Sequence, residues 1–194
     1  MKYRAALAEL TKIGRELWNR RLTSGSSGNL SARLDDGSLL LTRAGASLRD
    51  LTAADFVVTD ALGTARDQER APTTEYRLHV AAHQARHEIS VALHTHPTFC
   101  VIWSKFNVPL PRDTVGAREA LRPVALTRYH RAGTRELADE VAAALGDADN
   151  VLMERHGFLS VGDSVEDAFL QTDLAEEAAR IAYFSRLAGL TGND

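Results

Sequence analysis

The sequence predicts an α/β domain in which helices flank a mixed sheet, and three observations carry that prediction. Amphipathic helical periodicity stands at both ends of the chain. Short apolar runs of strand length, bounded by Gly, Asp, Ser and Pro turns, fill the middle. With 194 residues, 44% hydrophobic and 25% charged, the chain is long enough for one well-buried core and short for two. One domain over residues 1–194 is therefore expected.

Leu7, Leu10, Ile13 and Leu17 recur at three- and four-residue spacings, so "MKYRAALAELTKIGRELWNRR" opens the chain as an amphipathic helix. It ends at "TSGSSGN", a loop, because patterned segments resume at once. "LSARL", the turn "DDGS" and "LLLT" read as a β-hairpin, and "DFVVTD" with "ALGT" as another strand and its turn. Pro72, with Thr73 or Thr74 as cap, opens a helix through "EYRLHVAAHQARH". "ISVALHTH" starts almost continuously apolar, the pattern of a central strand buried on both faces. "FNVPLPRDTVGAREALRPVALTRYH" holds three of the five prolines and shows no readable period. "TRELADEVAAALG" is a helix with a glycine stop, and "NVLMERHG" and "FLSVG" are short strands around a turn. Ser164 with Asp167 resembles a capping box for the long closing helix through "AFLQTDLAEEAARIAYFSRLAGL".

A net charge of −3 with scattered basic residues leaves no footprint for nucleic acid. The one cysteine, Cys100, can form no internal disulfide, and its apolar context suits a buried, inert thiol. The N-terminus carries charges throughout, unlike a signal peptide, and no apolar run approaches the ~20 residues that span a bilayer. A soluble, cytoplasmic protein without membrane partners is expected. Patterns for nucleotide phosphates and for a serine nucleophile elbow are absent.

Chemistry concentrates in "ISVALHTHPTFC". Side chains at i and i+2 of a strand share a face, so His94 and His96 project together at a rim ended by Pro97. Either they grip a metal, which catalytic zinc sites hold with three protein ligands, or they are two hydrogen-bonded strand-end histidines. His156, in "LMERHGFLSVG", is another strand-end imidazole before a glycine; His130 in the basic "TRYHRAG" competes with it as a third ligand. Glu75, His79 and His83 form a rival stripe on the predicted helix, continuing to His87. Tyr76 and Val80 must face the core, so that stripe is expected on the solvated side. Glu75 stands apart at the helix start, where it can reach a neighbouring site. "SGSSGN", "LTRAGAS" and "PTTE" each offer hydroxyls, glycines or N–H groups suited to an anion.

Taken in order, "SGSSGNLSAR", "LTRAGAS", "PTTEYRLHVAAHQAR", "VALHTHP", "YHRAGTRELADEV" and "ERHGFLSVG" resemble the class II sugar-phosphate aldolase/epimerase/adducin family over nearly the whole chain. The resemblance implies a three-layer α/β/α sandwich around a mostly antiparallel central sheet. It implies a cyclic homotetramer with active sites at subunit interfaces. It also implies a divalent metal, typically zinc and otherwise Mn2+ or Co2+, held by His94, His96 and His156. Glu75 then occupies the coordination position of the empty site and becomes the acid/base, and Gly28, Asn29, Thr42, Gly45, Thr73 and Thr74 hold the phosphate of a small phosphorylated sugar. The implied activity is that of a lyase cleaving a ketose phosphate to dihydroxyacetone phosphate and an aldehyde through an enediolate. Relatives that decarboxylate, dehydrate or epimerise share the same chemistry, and adducin-like modules lack the metal ligands.

Three departures bear on the reaction. Arg43 follows Thr42 where fuculose-type aldolases usually have proline, adding a cation for phosphate or for a substrate carboxylate. "LPRDTVGAREA" offers Val115 where the proton-donor tyrosine is expected. The chain stops soon after its last helix, without the tail that carries a second functional tyrosine. An aldol reaction would then draw its proton from water or from Tyr129.

Overall fold

The computed structural model describes residues 1–190; the last four residues of the expected 1–194 domain lie outside it. Its centre is a seven-stranded sheet in the order β3-β2-β1-β4-β7-β6-β5. The strands are β1 (Asn29–Arg33), β2 (Leu39–Thr42), β3 (Phe56–Thr59), β4 (Val91–Thr95), β5 (Val124–Thr127), β6 (Asn150–Met153) and β7 (Gly157–Gly162). The helices are α1 (Tyr3–Asn19), α2 (Tyr76–Ala85), α3 (Thr98–Ser104), α4 (Val115–Ala120), α5 (Arg135–Ala144) and α6 (Val165–Leu187).

Every neighbouring pair is antiparallel except β5 and β6, which run parallel. The sheet is thus mixed, and the reason is local: β5 reaches β6 through α5, and a crossover helix returns the chain in the same direction. The hairpin β1–β2 forms as the "DDGS" turn requires, with Ser31 opposite Leu41. β4 lies between β1 and β7 and is buried at all five positions, as its apolar run predicts.

Alternation divides the core between the two faces. Val91 and Leu93 of β4 pack with Leu10, Leu17 and Ala168 of α1 and α6. Ala92, one residue along, packs instead with Leu78 of α2 and Val141 of α5. Helix α6 closes the first face with alanines, which let it approach the sheet closely, and its cap is Ser164, whose side chain accepts from the Asp167 N–H. The unreadable proline-rich stretch contains α4 and β5, and α3 follows directly from the histidine motif. No helix among the described residues is long and apolar enough to cross a membrane.

Candidate metal centre

Segments remote in sequence meet at one end of the central strands. Strand alternation turns His94 toward α2, and β1 is paired so that Asn29 stands opposite it. His96 lies just beyond the strand, its backbone N–H donating to the Leu22 carbonyl at 3.1 Å. Pairing of β4 with β7 sets Thr95 opposite Phe158, which brings the β6–β7 turn and His156 alongside. Gly157, where that turn enters β7, is required by packing: a Cβ would run into the Thr95 carbonyl oxygen and stand 2.7 Å from the His96 ring. Arg155 takes a left-handed φ of 54°, and its N–H donates to Ser104 Oγ at 2.9 Å, which aims the turn. Glu75 is the cap residue of α2, held by its N–H on Thr73 Oγ1 at 3.3 Å.

Ligand-type atoms of Glu75, His94, His96 and His156 all lie within 4.8 Å of one another. His94 donates its Nδ1–H to the Phe158 carbonyl at 3.1 Å, which leaves Nε2 as the lone-pair nitrogen. That Nε2 faces His96 Nε2 at 3.0 Å and Glu75 Oε2 at 3.2 Å. His156 Nε2 stands 3.1 Å from Glu75 Oε1, although Oε1 receives no aligned hydrogen bond. Burial by itself would raise the Glu75 carboxyl, but positive charge shared with His94 and His156 outweighs it and holds it well below the usual carboxylate range. Burial, reinforced by His94 and His156, lowers His96 to about 3 and keeps its ring a neutral base. Buried lone pairs pointed at one another are unfavourable unless a cation lies among them. Three imidazoles and one carboxylate are a donor set that fits a divalent metal of the zinc type.

Residues 8–183 match the class II aldolase and adducin N-terminal domain. The chain belongs to that family. An L-fuculose phosphate aldolase from Methanococcus maripaludis is 32% identical over 91% of this chain and 96% of its own. A solved L-fuculose 1-phosphate aldolase superposes with a TM-score of 0.90 at 28% identity, covering 100% of this chain and 93% of that one. YgbL of Klebsiella pneumoniae, described as an aldolase, epimerase or decarboxylase, superposes with a TM-score of 0.87 at 27% identity over 95% and 91% of the two chains. The match to class II aldolases carries the α/β fold as well as the family.

Within this family fold, the expected phosphate residues fall into two groups. Gly28, Asn29, Thr42 and Thr73 are buried, while Gly45 and Thr74 are exposed. Gly28 has a φ of 81°, and a Cβ there would stand 3.0 Å from the His94 carbonyl oxygen. Thr42 Oγ1 accepts from the Leu30 N–H at 3.2 Å, and Asn29 donates from Nδ2 to Glu75 Oε2 at 3.0 Å. Arg43, expected as a cation for phosphate or a substrate carboxylate, is paired with Asp55 through Nε and Nη2 at 3.0 and 2.9 Å. His130 pairs with Glu140 instead of joining the cluster. Tyr129 is half-exposed beneath Arg155, whose guanidinium lies 4.4 Å from the ring centre, and Val115 starts α4 exposed to solvent. A cleft of about 500 Å³ lined by Trp18, Asn19, Thr23 and Ser24 opens onto His96.

Two expectations are overturned: the cap of α2 is Glu75 and neither Thr73 nor Thr74, and the histidine stripe is not solvated. The helix stripe that should be solvated is buried at His79 and His83, at 0% and 1% exposure, and His87 lies beyond the end of α2. The stripe that faces outward carries Arg77 and Gln84. The cause is β1, whose α2-facing positions Asn29 and Ser31 are polar and give the histidines partners inside. That alternation is visible in "NLSAR", and it was the missed signal.

Proposed function

We propose that the chain is a divalent-metal-dependent lyase, an aldolase that cleaves a small phosphorylated ketose to dihydroxyacetone phosphate and an aldehyde. Convergence of His94, His96, His156 and Glu75 carries this reading, and the fuculose-phosphate aldolases among its relatives support the substrate class. When bound, the cation, zinc or otherwise Mn2+ or Co2+, supplies the Lewis acid that stabilises an enediolate. The three histidines would hold it, with Glu75 at the remaining position of the empty site and His94 oriented by the Phe158 carbonyl. Glu75 is anchored at Oε2 by Asn29 and moves the proton at Oε1, the oxygen without an aligned donor. Gly28, Asn29, Thr42, Gly45, Thr73 and Thr74 orient the phosphate, whose binding energy aligns the reacting carbons. A single domain over 1–194 acting in the cytoplasm as a homotetramer with interfacial sites completes the reading.

A second reading is favoured by Val115, which stands where the donor tyrosine of the aldolases is expected. In it, the same centre decarboxylates, dehydrates or epimerises a phosphorylated sugar or sugar acid. Metal analysis of the purified chain, combined with a screen of ketose phosphates, tests both. Bound metal with release of dihydroxyacetone phosphate supports the lyase; carbon dioxide or a dehydrated ketone selects the second reading. No metal, and no loss of stability in His94→Ala and His156→Ala, points to an adducin-like module.

A further inference from the structure

A line of buried polar side chains runs from Glu75 into the interface between β1 and α2. Asn29 and Ser31 share one face of β1, and His79 and His83 lie one turn apart on α2. All four are buried, at 6%, 0%, 0% and 1% exposure. A carboxylate only accepts, so Asn29 must turn Nδ2–H to Glu75 Oε2, at 3.0 Å, and Oδ1 the other way. Oδ1 lies 2.6 Å from His79 Nε2, which must therefore carry the proton. His79 Nδ1 is then a lone pair, and it accepts from Ser31 Oγ–H at 2.8 Å. The Ser31 oxygen in turn accepts from His83 Nε2–H at 2.9 Å. Each bond dictates the direction of the next, and the far end is tied down by Arg33, which donates to the His83 carbonyl.

We propose that His79, aligned by Ser31 and His83, is a positioning residue for Glu75. It locks the Asn29 amide so that an N–H, never a carbonyl oxygen, meets the carboxylate. A flipped amide would bring Oδ1 against Oε2 and two N–H groups together at His79, a double mismatch in a buried site. Stability alone does not call for such a line. One strand over, Leu39 and Leu41 pack against Val80 and Tyr76 of the same helix with apolar contacts only. The inference deepens the proposed function, since it gives Glu75's orientation a cause, and it rests on that reading for its effect on metal binding.

The test uses the metal-free full chain with Co2+ as probe. Long-range proton–nitrogen spectra of histidine-labelled protein should show both His79 and His83 as Nε2–H tautomers; an Nδ1–H tautomer at His79 overturns the proposal. His79→Leu should weaken Co2+ binding by about 10- to 100-fold, the usual effect of removing a group that orients a ligand. His79→Gln, whose amide can replace the Nε2–H donor, should recover most of that loss. Ser31→Ala is the second variant, expected to weaken Co2+ binding in the same direction. Lowered melting temperature with unchanged Co2+ affinity in the Leu and Ala variants shows a merely structural role and overturns the proposal. If the wild-type chain takes up no Co2+, the metal reading fails, and the tautomers alone then decide whether the line orients Glu75.

Discussion

Two buried polar clusters lie on opposite faces of the sheet and are built on opposite terms. On the α6 face, Gln171 Oε1 accepts from the Arg122 N–H at 2.8 Å and from Asn150 Nδ2 at 3.1 Å. Its own Nε2 donates to the Ala120 carbonyl at 3.0 Å, so every bond of Gln171 joins a donor to an acceptor. On the α2 face, two imidazole nitrogens stand 3.0 Å apart with a carboxylate oxygen 3.2 Å from one of them. The first cluster ties α6 to β6 through these matched bonds, although Asn150 Oδ1 is left without a hydrogen-bond partner. The second is one that a bound cation would balance. Burial and polarity are common to both; the mismatch of donors and acceptors is what separates a binding site from a structural joint.

The largest effects should fall on the mismatched cluster as activity rather than stability. Glu75→Gln keeps the shape of the side chain and removes the proton carrier, so kcat for retro-aldol cleavage should fall by about 10²- to 10⁴-fold. Its metal-free melting temperature should move by only a few degrees, because the site is not optimised for stability. A rate within a few-fold of wild type would remove Glu75 from the chemistry and erase the distinction between the clusters. Metal removal comes next. Chelation should abolish turnover, and restoring Zn2+ to about 100 times its dissociation constant should return roughly 2.7 kcal/mol of stability. Thermal unfolding with and without metal measures it, and an unchanged melting temperature would mean that the four side chains hold nothing.

The matched cluster should respond in the reverse way. Gln171→Leu leaves the Arg122 N–H, Asn150 Nδ2 and the Ala120 carbonyl without their partner, which should cost about 2–3 kcal/mol in denaturant unfolding. Metal uptake per folded molecule should stay at the wild-type value. A loss of metal affinity in this variant would show that the two faces are coupled through β6 and β7, against the separation argued above.

The sequence makes some of this legible and hides the rest for identifiable reasons. Period-3.6 apolar spacing marks α1, and α5 and α6 follow from helix-forming runs with their caps and stops. The "DDGS" turn marks the β1–β2 hairpin, and the apolar run marks β4 as central. His94, His96 and His156 read as strand-end imidazoles, and the fold brings them together with Glu75. Helix α3 was not legible because it draws on distant partners: Glu176 of α6 accepts from the Phe99 and Cys100 N–H groups at 3.0 and 2.9 Å. β5 follows Pro123 on the sheet edge and has only β6 to pair with. The histidine stripe departs from expectation because amphipathicity assumes an apolar partner face. At His79 and His83 the facing strand is itself polar, and the period of the helix alone carries no information about that.

Those two histidines lead to the smallest expected effect, which is also the most specific to the α2 face. Burial, with His94 adding to it, lowers His79 from 6.5 to about 3, and burial with Arg33 holds His83 well below its usual range. Both are therefore neutral when folded and free to take a proton when unfolded. Between pH 6.5 and about 3 the unfolded chain binds more protons at His79, so stability is full above pH 6.5 and falls as pH drops through that window. The slope is about 1.4 kcal/mol per pH unit for each such histidine. Depressed carboxyls, Glu75, Asp55 and Glu140 among them, act in the same sense only below their unfolded values of 3.8 to 4.5. Glu176, raised by burial, acts in the opposite sense above 4.5. Comparing unfolding free energies of the wild type and His79→Gln from pH 6.5 to 5 isolates the histidine share. The variant should show a slope shallower by about one proton's worth; parallel slopes would mean that His79 is already protonated when folded. That result would reverse the bond between His79 Nδ1 and Ser31 Oγ, while the Nε2–H that orients Asn29 and Glu75 would stay in place.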